Sequence, residues 1–576
     1  MALTKGEENL VLYLNKLYQE GSTARSKVNK TWAKSIETVK GNIWPERRPK
    51  YRIPAVMNFL AEILERKAAL LTDSRPTISV TSRKKLDDPI CEILQKTCEG
   101  ILDERNFENK LTEYVMLEEL FGSAFFNTCW DKSLDYGKGD IDLVVIDPRC
   151  FIFDPFVTRM WNLQYGEYCC LETIKPTELL QEQFYEKRDE IKPDLTLGEV
   201  KPDSLIHKIR DLFGFSAQQG EQSVIPRSIV RDWWVRDRST RDKGKLLYPN
   251  WRHIIVAGGC PVEDGTNPYI DGNHPFDGMA WKFNVESAWG KNEVDDLESP
   301  QLMFNKTLAT IIENAILMGN GIWIGDYDAL SDKDWERLSN EPGSHVRVRT
   351  GKQLKRESAP PLPNYVTELL NILMGGQEKL SGITEVTEGR RPGQLTSGVA
   401  IEQLATMAQT TIRLKARQLD YLLQNIGQKL ISRIFAYYTT DRVLTFSGTD
   451  ETGKAKQYFY HREAIRQLIQ KEGMQVFQDY VLKVVPTSSL ALTKWQKGLM
   501  ATQLYQLGLI DEKAALDALE FPGRDEILQR MAQGVQAAMM GGGGFGEKTS
   551  PKKLPANLLR GGNKQMPIQT PQQPGM

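Results

Sequence analysis

The sequence predicts an α+β fold, on three observations. Strand-like runs crowd residues 124 to 257, helical periodicity dominates on either side, and the regular strand–helix alternation of a doubly wound or barrel fold is missing. The 576 residues exceed one typical domain, and length alone suggests about three or four. Hydrophobic residues make up 40% and charged residues 26%, an ordinary globular composition that excludes a fibrous or wholly disordered chain.

The elements follow in order. Residues 8 to 40 read as a helix, with Leu10, Leu12, Leu14, Leu17 and Tyr18 near its start and Gly41, Trp44 and Pro45 breaking it. A second helix is predicted from Pro54 to Leu71, with Val56, Phe59, Leu60, Ile63 and Leu64 at helical spacing. The stretch after Pro76 alternates like a strand, and helices return from Asp88 to Phe121. Strands are then predicted at 141–146, 151–153, 229–235 and 251–257, with a helical stretch from Pro176 to Arg188.

Around residue 290 the texture changes. Ser299 and Pro300 read as N-cap and first residue of a helix that Gly319-Asn320-Gly321 ends. A turn-rich insert, 322–363, carries the alternating basic stretch His345-Val-Arg-Val-Arg. A second apolar helix runs from Asn364, its candidate N-cap, to about Leu380. A Gly/Pro/Thr-rich loop of about fifteen residues follows, a length more often functional than not.

The strongest helical signal is Ser397 to Tyr438, without proline and with apolar residues recurring through Ile434. At 1.5 Å per residue it predicts a rod of about 60 Å, with Gly427 as the place for any kink. Short strands are predicted near 443–446, 457–460 and 481–485. Thr493-Lys-Trp-Gln496 opens a helix through Leu507, and two more are expected at 511–519 and 524–540. The Gly-, Pro- and Gln-rich remainder from 541 predicts a disordered tail.

The chemistry is notable for what is missing. Lys and Arg total 74 against 75 Asp and Glu, and a protein gripping nucleic acid over its whole surface shows a basic excess. The seven cysteines form no metal-binding or disulfide pattern and predict buried thiols. Five histidines never fall within helical reach of one another. Gly541 to Thr549 approaches a phosphate loop but is one residue too long and follows a helix. Asp295-Asp296 reads as solvated surface. No catalytic, cofactor or metal site is predicted, and neither a signal peptide nor a run of membrane-spanning length is visible.

Two features carry a resemblance. One is the helix–insert–helix of 292 to 386, whose first helix includes Gln301-Leu-Met-Phe-Asn305. The other is the Gly/Pro loop leading into Thr396-Ser-Gly-Val-Ala-Ile-Glu-Gln-Leu and a long helix with Ile412-Arg-Leu-Lys-Ala-Arg. In order and texture the chain resembles the portal proteins of tailed bacteriophages, most clearly between 290 and 440.

The resemblance implies the portal fold, assembled as a homododecamer ring at one capsid vertex of the virion, made in the host bacterial cytoplasm. It implies a wing (1–290, rejoined by 439–487), stem helices (291–320 and 364–386) and a clip (321–363). It also implies a tunnel loop (387–397), a long wing helix (398–438) and a helical crown (488–540), with the tail at 541–576. The partners implied are double-stranded DNA in the channel, the terminase large subunit and later head–tail adaptor proteins on the clip, and the major capsid and scaffolding proteins. No membrane is implied.

Arg390, Arg391 and Gln394 become candidates for transient DNA contact, with Gly389, Pro392 and Gly393 shaping the loop. Arg347, Arg349, Lys352, Lys355 and Arg356 become candidates for contact with DNA or an acidic docking partner, against a solvated strand edge guarded by charge. Arg413, Lys415 and Arg417 are expected in salt bridges between subunits. Two other readings remain: a DNA-processing enzyme such as a nuclease or packaging ATPase, and a helical interaction scaffold.

Overall fold

Thr4 opens the first helix: its hydroxyl accepts from the Glu7 amide while the Glu7 carboxylate accepts from the Thr4 amide. The structure, a computed structural model, describes residues 4–44, 52–72, 78–85, 88–194, 225–240, 244–336, 338, 346–358, 360–383, 410–449, 455–484, 501–502, 504–511 and 514–515. The chain divides into two units, residues 1–491 and 492–576.

In the first unit the helices are α1 (Lys5–Val39), α2 (Phe59–Thr72), α3 (Pro89–Glu104), α4 (Phe107–Phe121), α5 (Thr177–Gln183), α6 (Val294–Gly319), α7 (Asp332–Glu336), α8 (Asn364–Ser381), α9 (Thr410–Tyr437) and α10 (Arg462–Glu472). Strands β1 (Ile78–Ser82) and β14 (Tyr480–Val484) pair antiparallel across most of the sequence. Strands β3 (Asp140–Ile146), β2 (Ala124–Asp131) and β9 (Phe276–Met279) form one sheet in that order. A five-stranded sheet follows chain order: β4 (Phe151–Phe153), β5 (Tyr168–Pro176), β6 (Arg227–Val235), β7 (Arg252–Ala257) and β8 (Cys260–Thr266). Two pairs complete the set, β10 (Ile322–Gly325) with β11 (Leu354–Glu357) and β12 (Arg442–Thr449) with β13 (Ala455–Tyr460).

The five-stranded sheet is covered on both faces. Phe151, Phe153, Cys169 and Trp234 enter one aromatic core with Trp32, Phe125 and Trp289. Their sequence neighbours Ile152, Tyr168, Cys170, Trp233 and Val235 enter another with Leu14 and Tyr18 of α1. Successive strand residues point to opposite faces, so adjacent Cys169 and Cys170 lie in different cores, both buried and unpaired. The sequence predicts buried thiols; Cys91, Cys129 and Cys150 are only partly buried. α1 crosses at Gly21, where a β-carbon would lie 2.1 Å from Ile152 Cγ2, so only glycine allows this approach.

α9 runs through the largest core, where Leu419, Leu422, Ile426, Leu430, Ile431 and Ile434 meet α2, α3, α4, β1 and β14. At Gly427 a β-carbon would meet the Leu482 side chain at 2.6–2.8 Å. This glycine therefore serves a close helix–strand approach, with the helix continuing across it to Tyr437.

Several helix starts differ from expectation, α1 among them at Lys5 rather than residue 8. α2 begins at Phe59, not Pro54: Asn58 Oδ1 accepts from the Ala61 amide, and residues 53–58 are not helical. α6 begins at Val294, and Pro300 lies inside it. Val294 and Leu297 are buried against Leu60 and Leu64, and that burial outweighs the bond the proline removes. Asn364 is the first helical residue of α8, not its cap.

The second unit has helical backbone at 501–502 and 504–506. The starts of the long helix and of the 493–507 helix, most of the two following helices and the tail lie outside the described residues.

Candidate stem and docking elements

α6 is fastened along its length. Asn292 Oδ1 accepts from the Asp295 amide at 2.7 Å, and the Glu293 amide donates to the Glu119 carbonyl at 3.0 Å. Directly after Pro300, buried Gln301 and, one turn further, Asn305 clamp one residue of the non-helical 53–58 segment. The Gln301 side chain donates to the Met57 carbonyl, and Asn305 Oδ1 accepts from the Met57 amide at 3.0 Å. Phe304 meets Phe59 edge-on, with centroids 5.0 Å apart. Further on, Glu313 accepts from the Ile53 amide at 3.2 Å. Beyond it α6 is open, with Ile316, Leu317 and Met318 exposed.

α8 packs along α6. β10 follows α6 and pairs antiparallel with β11, Ile322 opposite Glu357, shortly before α8. The chain therefore leaves α6 and enters α8 at the same end, and the helices run antiparallel. Asn314 Nδ2 donating to the Pro360 carbonyl at 3.3 Å closes that end.

α8 has two apolar faces. Val366, Leu370 and Leu373 are half-buried and lead to buried Gln377 and Ser381. Tyr365, Leu369 and Ile372, at i, i+4 and i+7, are exposed by 67%, 42% and 63%. A helix apolar on both sides is normally buried on both.

The insert is a small structure of its own. Ala329 and Leu330 are buried, and the Ala329 carbonyl accepts from the Arg349 amide at 3.1 Å. Arg347, Arg349, Lys352 and Lys355 are exposed, and none forms an ion pair among the described residues. The 346–349 stretch is irregular backbone, not the expected strand edge; Lys355 and Arg356 alone of the basic set lie on a strand, β11. Arg356 is committed internally, donating to the Gly319 carbonyl at 2.8 Å at the end of α6 and lying over Trp323. Arg390, Arg391 and Gln394 lie outside the described residues.

The most charged buried cluster joins α6 to the body. Lys415 donates to both Glu119 oxygens at 2.6 and 2.8 Å and to Glu293 at 3.2 Å. Glu293 also receives Lys67 and, at 3.0 Å, Lys282, which reaches Asp296 as well. Burial opposes the charge of Glu293, but Lys415, Lys67 and Lys282 together outweigh it and hold its carboxyl at about 2. Burial raises Glu119 and lowers Lys67. Burial likewise pushes neighbouring Glu118 well above the usual carboxylate range, and Glu118 accepts from the Trp281 amide at 2.8 Å.

This corrects the expectation for Lys415. It is buried within its own chain, and its partners are Glu119 and Glu293 rather than another subunit. The cluster was not foreseen, although Glu118 and Glu119 fall on the same side of α4 as Leu111 and Val115, an anomaly for charged residues. Asp295 and Asp296 are exposed, as expected. Among the described residues no group of three or more His, Cys, Asp or Glu side chains could hold a metal ion, and no helix is long and apolar enough to cross a membrane.

The described residues form an α+β body carrying a helix–insert–helix hairpin, with one apolar face of α8 exposed. The model of the phage P22-like portal protein family matches residues 18–573, nearly the whole chain, and the chain belongs to that family. It is a bacteriophage portal protein, a structural component of DNA packaging. Its family places it at the capsid vertex of the virion in a ring assembly, with capsid, terminase and DNA as partners. No curated protein is significantly similar to it.

Proposed function

We propose that the chain forms a homododecamer assembled in the host cytoplasm, with α6 and α8 as stem helices around the DNA channel. The carrying observation is the second apolar face of α8, Tyr365, Leu369 and Ile372, which is exposed among the described residues. A ring closed by heterologous contacts gives every such face a neighbour. On this reading the body to residue 290, rejoined at 439–487, is the wing, with 398–438 as its long helix. Residues 488–540 form the crown.

The insert, 321–363, is the clip. Its exposed Arg347, Arg349, Lys352 and Lys355 present a basic surface to an acidic face of the terminase large subunit, and later to head–tail adaptor proteins. Arg356, tied to the end of α6, supports the clip rather than docking. Residues 387–397 form the tunnel loop, where Arg390, Arg391 and Gln394 touch passing phosphates. The near-equal charge totals suit a conduit that lets DNA slide. Major capsid and scaffolding proteins surround the ring.

Negative-stain electron microscopy of the purified chain tests the ring. Rings with a central hole and roughly twelvefold symmetry are expected; monomers persisting at high concentration with scaffolding protein present would contradict it. Replacing Arg347, Arg349, Lys352 and Lys355 together by glutamate is expected to leave rings intact and to weaken terminase binding at least tenfold, about 1.4 kcal/mol. Unchanged binding would remove the docking role.

A further inference from the structure

The root of α6 holds more buried charge than packing requires. Glu293, immediately before the helix, is bound by lysines from three segments: Lys67 of α2, Lys282 of the connection from β9, and Lys415 of α9. Lys415 in turn grips Glu119 of α4. Apolar side chains of similar volume would hold these helices together at least as well.

What the charges add is registry. Each is satisfied only while α2, α4, α6 and α9 keep this one arrangement, and sliding any of them strands a buried charge. The cluster also sits at two ends of longer connections. Along α6, Gln301 and Asn305 continue the fastening through Met57. Along α9, Lys415 lies near the start of the described helix, downstream in the chain of the segment with Arg390, Arg391 and Gln394.

We propose that Glu119, Glu293, Lys67 and Lys415 form an ionic lock that makes the α6 root and the first described turns of α9 move as one body. A displacement of either is passed to the other. The lock acts within one chain, so its test is independent of ring formation.

The test perturbs one end and reads the other by hydrogen exchange with mass spectrometry on the full chain. Asn305→Ala loosens the α6 root without touching the lock. The paired change Glu119→Gln with Lys415→Met removes one charge of each sign, so no opposite charge is abandoned. With the lock intact, Asn305→Ala is expected to speed exchange at 294–305 and at 412–420 together, by about tenfold. In the paired background only 294–305 should respond. Gln301→Ala, which cuts only the bond to the Met57 carbonyl, repeats the measurement with a smaller perturbation. The proposal is overturned if 412–420 does not respond with the lock intact, or responds equally in both backgrounds.

Discussion

The body and the α6–α8 hairpin obey different rules. In the body, both faces of the five-stranded sheet are covered, and even large polar side chains are enclosed: Arg433 is fully buried, paired with Asp271 and stacked 3.8 Å over Tyr269. In the hairpin, one face of α8 packs on α6 while the other lies open. The body is closed by its own described residues; on the proposed reading the hairpin is completed by a neighbouring subunit. Substitutions should therefore act on folding in one region and on assembly in the other.

The largest effect should come from the body. Arg433→Met leaves Asp271 buried without its partner and should cost about 3–5 kcal/mol of stability, read as an early denaturation midpoint. Gly427→Ala should follow at about 1–3 kcal/mol, since the added methyl overlaps the Leu482 side chain and drives α9 from β14. Glu118→Gln should change stability by under about 1 kcal/mol. Burial pushes the Glu118 carboxyl well above the usual carboxylate range and so favours its neutral form, and an amide oxygen can still accept from Trp281. A loss as large as that of Arg433→Met would mean that Glu118 is charged in the fold.

The same contrast explains what the sequence made legible. α9 was readable because its apolar residues repeat at helical spacing, α1 despite a more mixed pattern, and β3 and β4 as short β-branched and aromatic runs, each followed by an Asp-Pro pair, Asp147-Pro148 and Asp154-Pro155. β5 was missed: both its faces are buried, so Tyr168-Cys-Cys-Leu shows no alternation to mark a strand. α10 was missed although Ile465, Leu468 and Ile469 have helical spacing, because it is one short helix between strands.

Start sites at Pro54 and Ser299-Pro300 misled, since local propensity was overruled by Asn58 and by burial of Val294 and Leu297. The lock was invisible for a different reason. Glu119's place on the apolar side of α4 hinted at burial, but nothing in the sequence named its partners, and only tertiary structure brings Lys67, Glu119, Glu293 and Lys415 together. In the hairpin, by contrast, the helix–insert–helix order and the apolar character of α8 were plain, because neither depends on distant partners.

The smallest effect on folding should accompany the largest on assembly. Leu369→Asp with Ile372→Asp alters only exposed positions, so the single chain's unfolding free energy should change by no more than about 0.5 kcal/mol. Electron microscopy of this variant beside the unaltered protein is the most direct test of the central claim. The account predicts rings from the unaltered chain and none from the folded variant. Rings from both would contradict it and show that the open face of α8 is not covered by a neighbouring subunit.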